Sequence, residues 1–242
     1  MIVRKIISAL KQTKLAQLRL NREKCSLCGW KLQIKTHNDE MGVRCSKCFA
    51  SPVAQSLGRV FKQFFKPDMS VYELSSRGAF VRFLQKQNRN LTLSEYFDDI
   101  KPGEYKNGIQ CQNVEKLTLE DNSFDICTSL EVFEHVENDI QGFKEIHRVL
   151  KPNGFFIFTV PLNINGNTIE RTQVINGKRE SILPPEYHTD SLRGKNKVFC
   201  YRNYGVDILQ RLSDAGFKST EIIKPNKKSL FGYARPILVA RK

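Results

Sequence analysis

The chain has 242 residues, with 39 Lys and Arg against 25 Asp and Glu and a formal net charge of +14. That length can bury a full α/β core and still carry a small extra module. No apolar run is long enough to cross a bilayer, and Lys11 and Lys14 interrupt the apolar amino terminus where a signal peptide would need it unbroken. The expectation is a soluble, cytoplasmic enzyme. Charge is uneven: residues 1–70 sum to +10, residues 71–150 to −5 and residues 151–242 to +9. The basic flanks suit phosphate, nucleic acid, a membrane surface or an anionic glycan, or they are simply solvated.

In chain order, residues 1–22 are expected to form a basic amphipathic helix, with Ile2, Val3, Ile6, Ile7 and Leu10 opposite Arg4, Lys5, Lys11 and Lys14. Residues 23–50 follow as a small ribbon. In it Cys25-x2-Cys28 and Cys45-x2-Cys48 stand sixteen residues apart, a paired spacing suited to tetrahedral zinc (Zn2+). So small a segment lacks a core of its own, and the metal would supply much of its folding free energy. Two disulfides are the alternative, disfavoured inside a cell. Cys111, Cys127 and Cys200 lie among apolar residues and read as core. Residues 53–65 form a helix with Val53, Leu57, Val60, Phe61 and Phe64 along one stripe. Lys66-Pro67-Asp68 then turns into a second domain, giving residues 1–66 and 67–242.

From there strands and helices alternate. Ser70–Leu74 reads as a strand, Gly78–Gln87 as a helix, Leu91–Tyr96 as a strand, 97–107 as a short crossing segment and Gly108–Cys111 as a strand. Residues 122–162 give a βαβ unit. Phe124–Cys127 is its first strand. Ile140, Phe143, Ile146, Val149 and Leu150 mark the helix, Pro152 and Gly154 the turn, and Phe155–Val160 the second strand. Such a unit implies a parallel sheet with its ligand at the carboxyl ends of the strands. Residues 163–203 read as a long, polar, irregular insertion. A helix over Tyr204–Ala215 and strands over Lys218–Lys224 and Ile237–Ala240 close the chain.

The -FD- strand, the -EHV- turn of Glu134-His135-Val136 and the -RVLKPNG- turn of residues 148–154 together resemble the class I S-adenosylmethionine (SAM) dependent methyltransferases. The resemblance runs from about Ser70 to Leu162 and continues more weakly to the carboxyl terminus. It implies a Rossmann-like α/β fold: a seven-stranded, mostly parallel sheet with one antiparallel strand, preceded here by a helix and the zinc ribbon. It also implies a cofactor site. Glu73 would accept around the methionine amino group, and the turn Ser75-Ser76-Arg77-Gly78-Ala79 would stand where the family has glycines, with Arg77 available to the SAM carboxylate. Glu95 would grip the ribose hydroxyls, Asn113 and Val114 would flank the adenine, and Ser129 and Leu130 would line the methionine end.

The reacting groups are expected at Glu131-Val132-Phe133-Glu134-His135 and at His188, in the segment Pro184-Pro185-Glu186-Tyr187-His188-Thr189-Asp190. Glu131 and Glu134 are three apart and would share the face of a helical turn. This E-x-x-E-H pattern with a distant histidine resembles metal-assisted O-methyltransferases, which implies Mg2+ or Mn2+ (or zinc) on Glu131, Glu134, His135 and His188. The other reading makes His135 or His188 a general base without metal. Arg171, Lys178, Arg179, Arg193, Lys195 and Lys197 in the insertion would favour an anionic acceptor. The expected function is O-methylation of a small-molecule or saccharide hydroxyl, the glycan choice resting on family analogy. One alternative is an RNA or tRNA methyltransferase that grips phosphates with its ribbon. The other is a non-catalytic scaffold that has lost the cofactor.

Overall fold

The computed structural model describes residues 17–190 and 194–242. The helix expected over 1–22 falls almost wholly outside the described residues, and its last part is strand instead. The chain divides into two compact units.

The first unit takes its described residues from 17–67, 77–89 and 223–237. Strands β1 (Arg19–Asn21), β2 (Gln33–Lys35) and β3 (Val43–Cys45) form an antiparallel sheet in that order. Helix α1 (Pro52–Phe64) starts where the Ser51 hydroxyl accepts from the Ala54 N–H and Pro52 fills the first turn, a position that needs no N–H. Its apolar stripe buries Leu57, Val60 and Phe61. The Phe61 ring meets Phe80 and Phe83 of α2 (Ala79–Gln87) edge-on, at centroid distances of 5.7 and 6.1 Å. Gln33 and Gln55, both buried, satisfy each other through two amide hydrogen bonds of 3.0 Å.

The second unit comprises 68–76, 90–222 and 238–242. It contains β4 (Val71–Glu73), β5 (Leu91–Glu95), β6 (Tyr105–Lys106), β7 (Ile109–Cys111), β8 (Phe124–Leu130), α3 (Asp139–Val149) and β9 (Leu150–Thr159). Then come β10 (Leu162–Asn163), β11 (Ile169–Glu170), β12 (Thr172–Ile175), β13 (Lys178–Ser181), β14 (Tyr187–Asp190), β15 (Gly194–Phe199) and β16 (Arg202–Gly205). Helix α4 (Ile208–Asp214) precedes β17 (Ser219–Ile223) and β18 (Ile237–Arg241). The main sheet has the order β17-β18-β9-β8-β4-β5-β7-β6. Its centre is parallel, and β18 enters antiparallel beside β9, as expected. It has eight strands rather than seven, because the two-residue β6 folds back antiparallel on β7. That order extends the doubly wound 3-2-1-4-5-6 arrangement by slotting the last strand inside the edge.

The Pro152-Asn153-Gly154 turn is a bulge within β9: Phe124 faces Leu150, but Ile126 already faces Phe155. Asn153 takes φ +67, and a Cβ at Gly154 would meet Lys151 O at 2.9 Å and Asp125 O at 3.0 Å. Glycine is what lets the strand re-enter there. The core beneath is aromatic: Phe133 stacks on Phe143 at 4.4 Å, and Phe156 on Phe158 at 4.1 Å. Each such ring, fully buried, contributes about 1.5–3 kcal/mol.

The insertion departs from expectation. It is built of β-structure: β10 and β11 flank β16, and β12–β13 and β14–β15 are antiparallel hairpins. Asn176 and Gly177 both take positive φ, +51 and +75, as the tight hairpin turn between β12 and β13 requires. Tyr204 and Gly205, read from sequence as helix, belong to β16.

Candidate active site

Because β4, β5, β7 and β8 run parallel, Glu73, Glu95, Cys111 and Leu130 end them along one edge of the sheet. Glu73 is fully buried and accepts from Ser75 Oγ at 2.7 Å and Thr128 Oγ1 at 2.5 Å. Burial pushes its carboxyl up to about 8, against the pull of those two hydroxyls. Ser76 donates its N–H and hydroxyl to Glu95 Oε1, at 3.1 and 2.8 Å. Asn113 Oδ1 accepts the Glu115 N–H at 2.9 Å, and Val114 packs on the core. Ser129 is fully buried, and among the described residues its Oγ has no hydrogen-bond partner. An orphaned buried hydroxyl at a strand's carboxyl end suits a polar ligand. Leu130 beside it is half-buried. Arg77 is exposed and is grouped with the first unit, as is Gly78, whose φ of +107 marks the start of α2.

After β8 the chain makes a 3-10 turn at Phe133–His135. Glu131 precedes it with φ +51 and donates its N–H to Thr159 O at 3.1 Å. Glu131 and Glu134 therefore do not share one helical face. The structure does bring Glu134, His135 and His188 together. His135 Nδ1 lies 2.7 Å from Phe199 O, and a carbonyl only accepts, so Nδ1 carries the proton. His188 Nε2 lies 3.1 Å from Glu186 Oε1 and donates to that carboxylate. The remaining nitrogens, His135 Nε2 and His188 Nδ1, approach to 3.2 Å. The buried Glu134 Oε1 stands 3.6 Å from the first and 3.8 Å from the second. Cys200, read as core, is buried but places Sγ 3.8 Å from His188 Nε2. Burial, with Glu134 and Glu186 nearby, raises its thiol to about 12.

Sequence reasoning missed Glu186, although its spacing of two from His188 in an extended segment places both side chains on one face. It also missed the clamp that holds the turn. Arg202, with its side chain 3% exposed, pairs with Glu170 at 3.1 Å. It also donates to the carbonyls of Phe133 (3.4 Å), Val136 (2.5 Å) and Glu137 (2.8 Å). Tyr204 bonds Asp139, which Arg211 also engages. The basic groups expected to face an anionic acceptor are partly spent inside the insertion. Arg171 pairs with Glu186 at 2.9 Å and Arg179 with Glu137 at 2.6 Å. Lys178 is exposed, Arg193 lies outside the described residues, and so do the side chains of Lys195 and Lys197.

In the first unit, the sulfurs of Cys25, Cys28, Cys45 and Cys48 lie within 4.8 Å of one another. Cys25 and Cys48 stand at 3.7 Å and Cys28 and Cys45 at 3.5 Å, far beyond a disulfide bond. The hydrogen bond from Cys48 holds the Cys25 thiol down at about 5. No helix among the described residues is long and apolar enough to cross a membrane.

Residues 54–158 match a protein-family profile described as a methyltransferase domain. No curated protein matches the chain. Solved structures that resemble it include a SAM-dependent methyltransferase from Mesorhizobium loti (18% identity, TM-score 0.48, 77% of this chain and 98% of that one). Others come from Listeria monocytogenes (15%, 0.48, 78% and 99%) and Methanosarcina mazei (13%, 0.45, 76% and 96%). Over residues 54–158, on its Rossmann-like α/β sheet, the chain is similar to methyltransferase domains.

Proposed function

We propose that the chain methylates a hydroxyl of a small molecule or saccharide, with Glu134, His135 and His188 handling the acceptor. The observation that carries this is the meeting of His135 Nε2 and His188 Nδ1 at 3.2 Å beside Glu134. Each ring spends its N–H on an outer partner, so both offer a lone pair to one point next to a carboxylate. That point suits a positive charge, and the hydroxyl proton of an acceptor is one.

When bound, SAM supplies an activated methyl group on a sulfonium. Glu73, Ser75, Glu95, Asn113, Val114, Ser129 and Leu130 would hold it, and the orphaned Ser129 hydroxyl is the polar contact that fits this role. The protein's own task is to orient the acceptor oxygen and take its proton. A second reading rests on the same three side chains. Their separations of 3.2, 3.6 and 3.8 Å fit a divalent ion, and each histidine's other nitrogen has the carbonyl or carboxylate partner that metal ligands use. In the first unit, bonds of ~2.3 Å from a tetrahedral zinc to each sulfur would set the sulfurs roughly 3.8 Å apart, close to the spacings found.

The test is calorimetric titration of SAM, first with chelator and then with Mg2+, on the wild type and on His135→Ala. The expected result is binding in both chains, with methyl transfer to a screened hydroxyl acceptor lost in the variant. No SAM binding in the wild type refutes the proposal. Full turnover in His135→Ala refutes the role given to the histidines.

A further inference from the structure

We infer that Glu186 is a positioning residue that fixes which nitrogen of His188 faces the acceptor, with Arg171 and Asn203 fixing Glu186 in turn. This rests on the reading of His188 given above and goes beyond it, since neither Glu186 nor its partners belongs to the expected reacting set.

The two carboxylate oxygens of Glu186 have separate duties. Oε2 takes Arg171 NH1 at 2.9 Å and Asn203 Nδ2 at 3.4 Å. Oε1 takes His188 Nε2 at 3.1 Å. Arg171 is itself anchored, through NH1 to Asn203 Oδ1 at 2.8 Å and NH2 to Pro184 O at 2.5 Å. The backbone is tied as well: Cys200 N–H donates to Glu186 O at 2.9 Å, and Arg171 N–H to Tyr201 O at 2.8 Å. These bonds join the strand that carries His188 to the segment whose Phe199 carbonyl orients His135. A carboxylate held on one side by two donors can only accept on the other. It therefore keeps a proton on His188 Nε2 and turns Nδ1 toward His135 and Glu134. Without Glu186, the ring could present an N–H where a lone pair is needed. Among the described residues, the groups facing His188 include Glu186 and Cys200 on its outer side and Glu134 and His135 on its inner side.

Glu186→Gln separates this from a merely structural role. Arg171 and Asn203 would claim the single carbonyl oxygen of the glutamine. Its amide nitrogen would then face His188 and donate to Nε2, moving the ring proton to Nδ1. The experiment is 15N NMR of the imidazole nitrogens in the full chain labelled at histidine, with saturating SAM. The chain has only four histidines, and His188→Ala assigns the signal. We expect a protonated Nε2 in the wild type and an unprotonated Nε2 in Glu186→Gln. An unprotonated wild-type Nε2, or the same Nε2 state in both chains, overturns the inference. The wild-type spectrum alone suffices if the variant fails to fold. SAM titration of the same samples distinguishes the two levels. Unchanged affinity leaves the methyltransferase reading standing whatever the ring does, while absence of binding in both chains brings down that reading.

Discussion

Glu73 offers a sharp test, because its burial and its proposed role pull in opposite directions. The carboxyl is fully buried, its two hydroxyl donors do not offset desolvation, and it is pushed up to about 8. Holding it there, rather than in the usual carboxylate range, costs its ionised form on the order of 5 kcal/mol. A bound α-ammonium would supply the missing opposite charge and favour ionisation. At pH 7 the free protein would then carry about 0.9 of a proton at Glu73 and shed it on binding SAM. The affinity for SAM should rise roughly tenfold from pH 6 to 7, and binding heats should vary with the ionisation enthalpy of the buffer. The sign for stability is opposite. An acid raised on folding costs nothing at pH 4, and its cost grows as pH climbs from the unfolded carboxylate range toward 8. Glu73→Gln should therefore be increasingly stabilising across that window, by at most about 5 kcal/mol, while weakening SAM and abolishing the pH slope. Calorimetry at pH 6.0, 6.5, 7.0 and 7.5 in phosphate and in an amine buffer, with melting curves of both chains, checks this. An affinity flat over that range, with buffer-independent heats, would refute the reasoning.

Two further outcomes are expected. Arg202→Met leaves Glu170 short of a partner and three carbonyls of the reacting turn without their donor, so it should destabilise the chain by about 3–5 kcal/mol. Denaturant unfolding measures it, and a loss within ordinary surface-mutation scatter would show the clamp to be dispensable. For the cysteines, elemental analysis should find about one zinc per chain and none in Cys28→Ser, whose ribbon should melt earlier. A zinc-free wild type with all thiols reactive would rule out the metal.

The segment from Ser70 to Leu162 was legible because each signal there is local. Apolar periodicity over Ile140–Leu150 marks the helix, Pro152 and Gly154 mark its end, and aromatic residues mark the buried strand. The insertion reads as irregular in sequence because its strands are short and partly polar, with exposed residues along Gln173–Ile175. The Asn176-Gly177 pair was nevertheless a plain hairpin signal. Spacing placed His135 and His188 in the candidate site, but could not say which nitrogens would meet. That depends on Phe199 and Glu186, whose bonds to the histidine rings pair residues 64 and 2 apart in sequence. Helical periodicity misplaced Glu131, since a left-handed residue breaks the turn before it begins.

The first unit is assembled from three separate stretches of chain. Glu23, beside the first cysteine, accepts from the Ser229 hydroxyl and from the Leu230 N–H at 2.7 Å, partners 206 and 207 residues away. At translation rates of roughly 5–20 residues per second, those partners emerge some 10–40 s after Glu23. Through that interval the stretch that carries the four clustered cysteines exists without contacts that complete its unit, so its packing finishes only when residues 229 and 230 have been made.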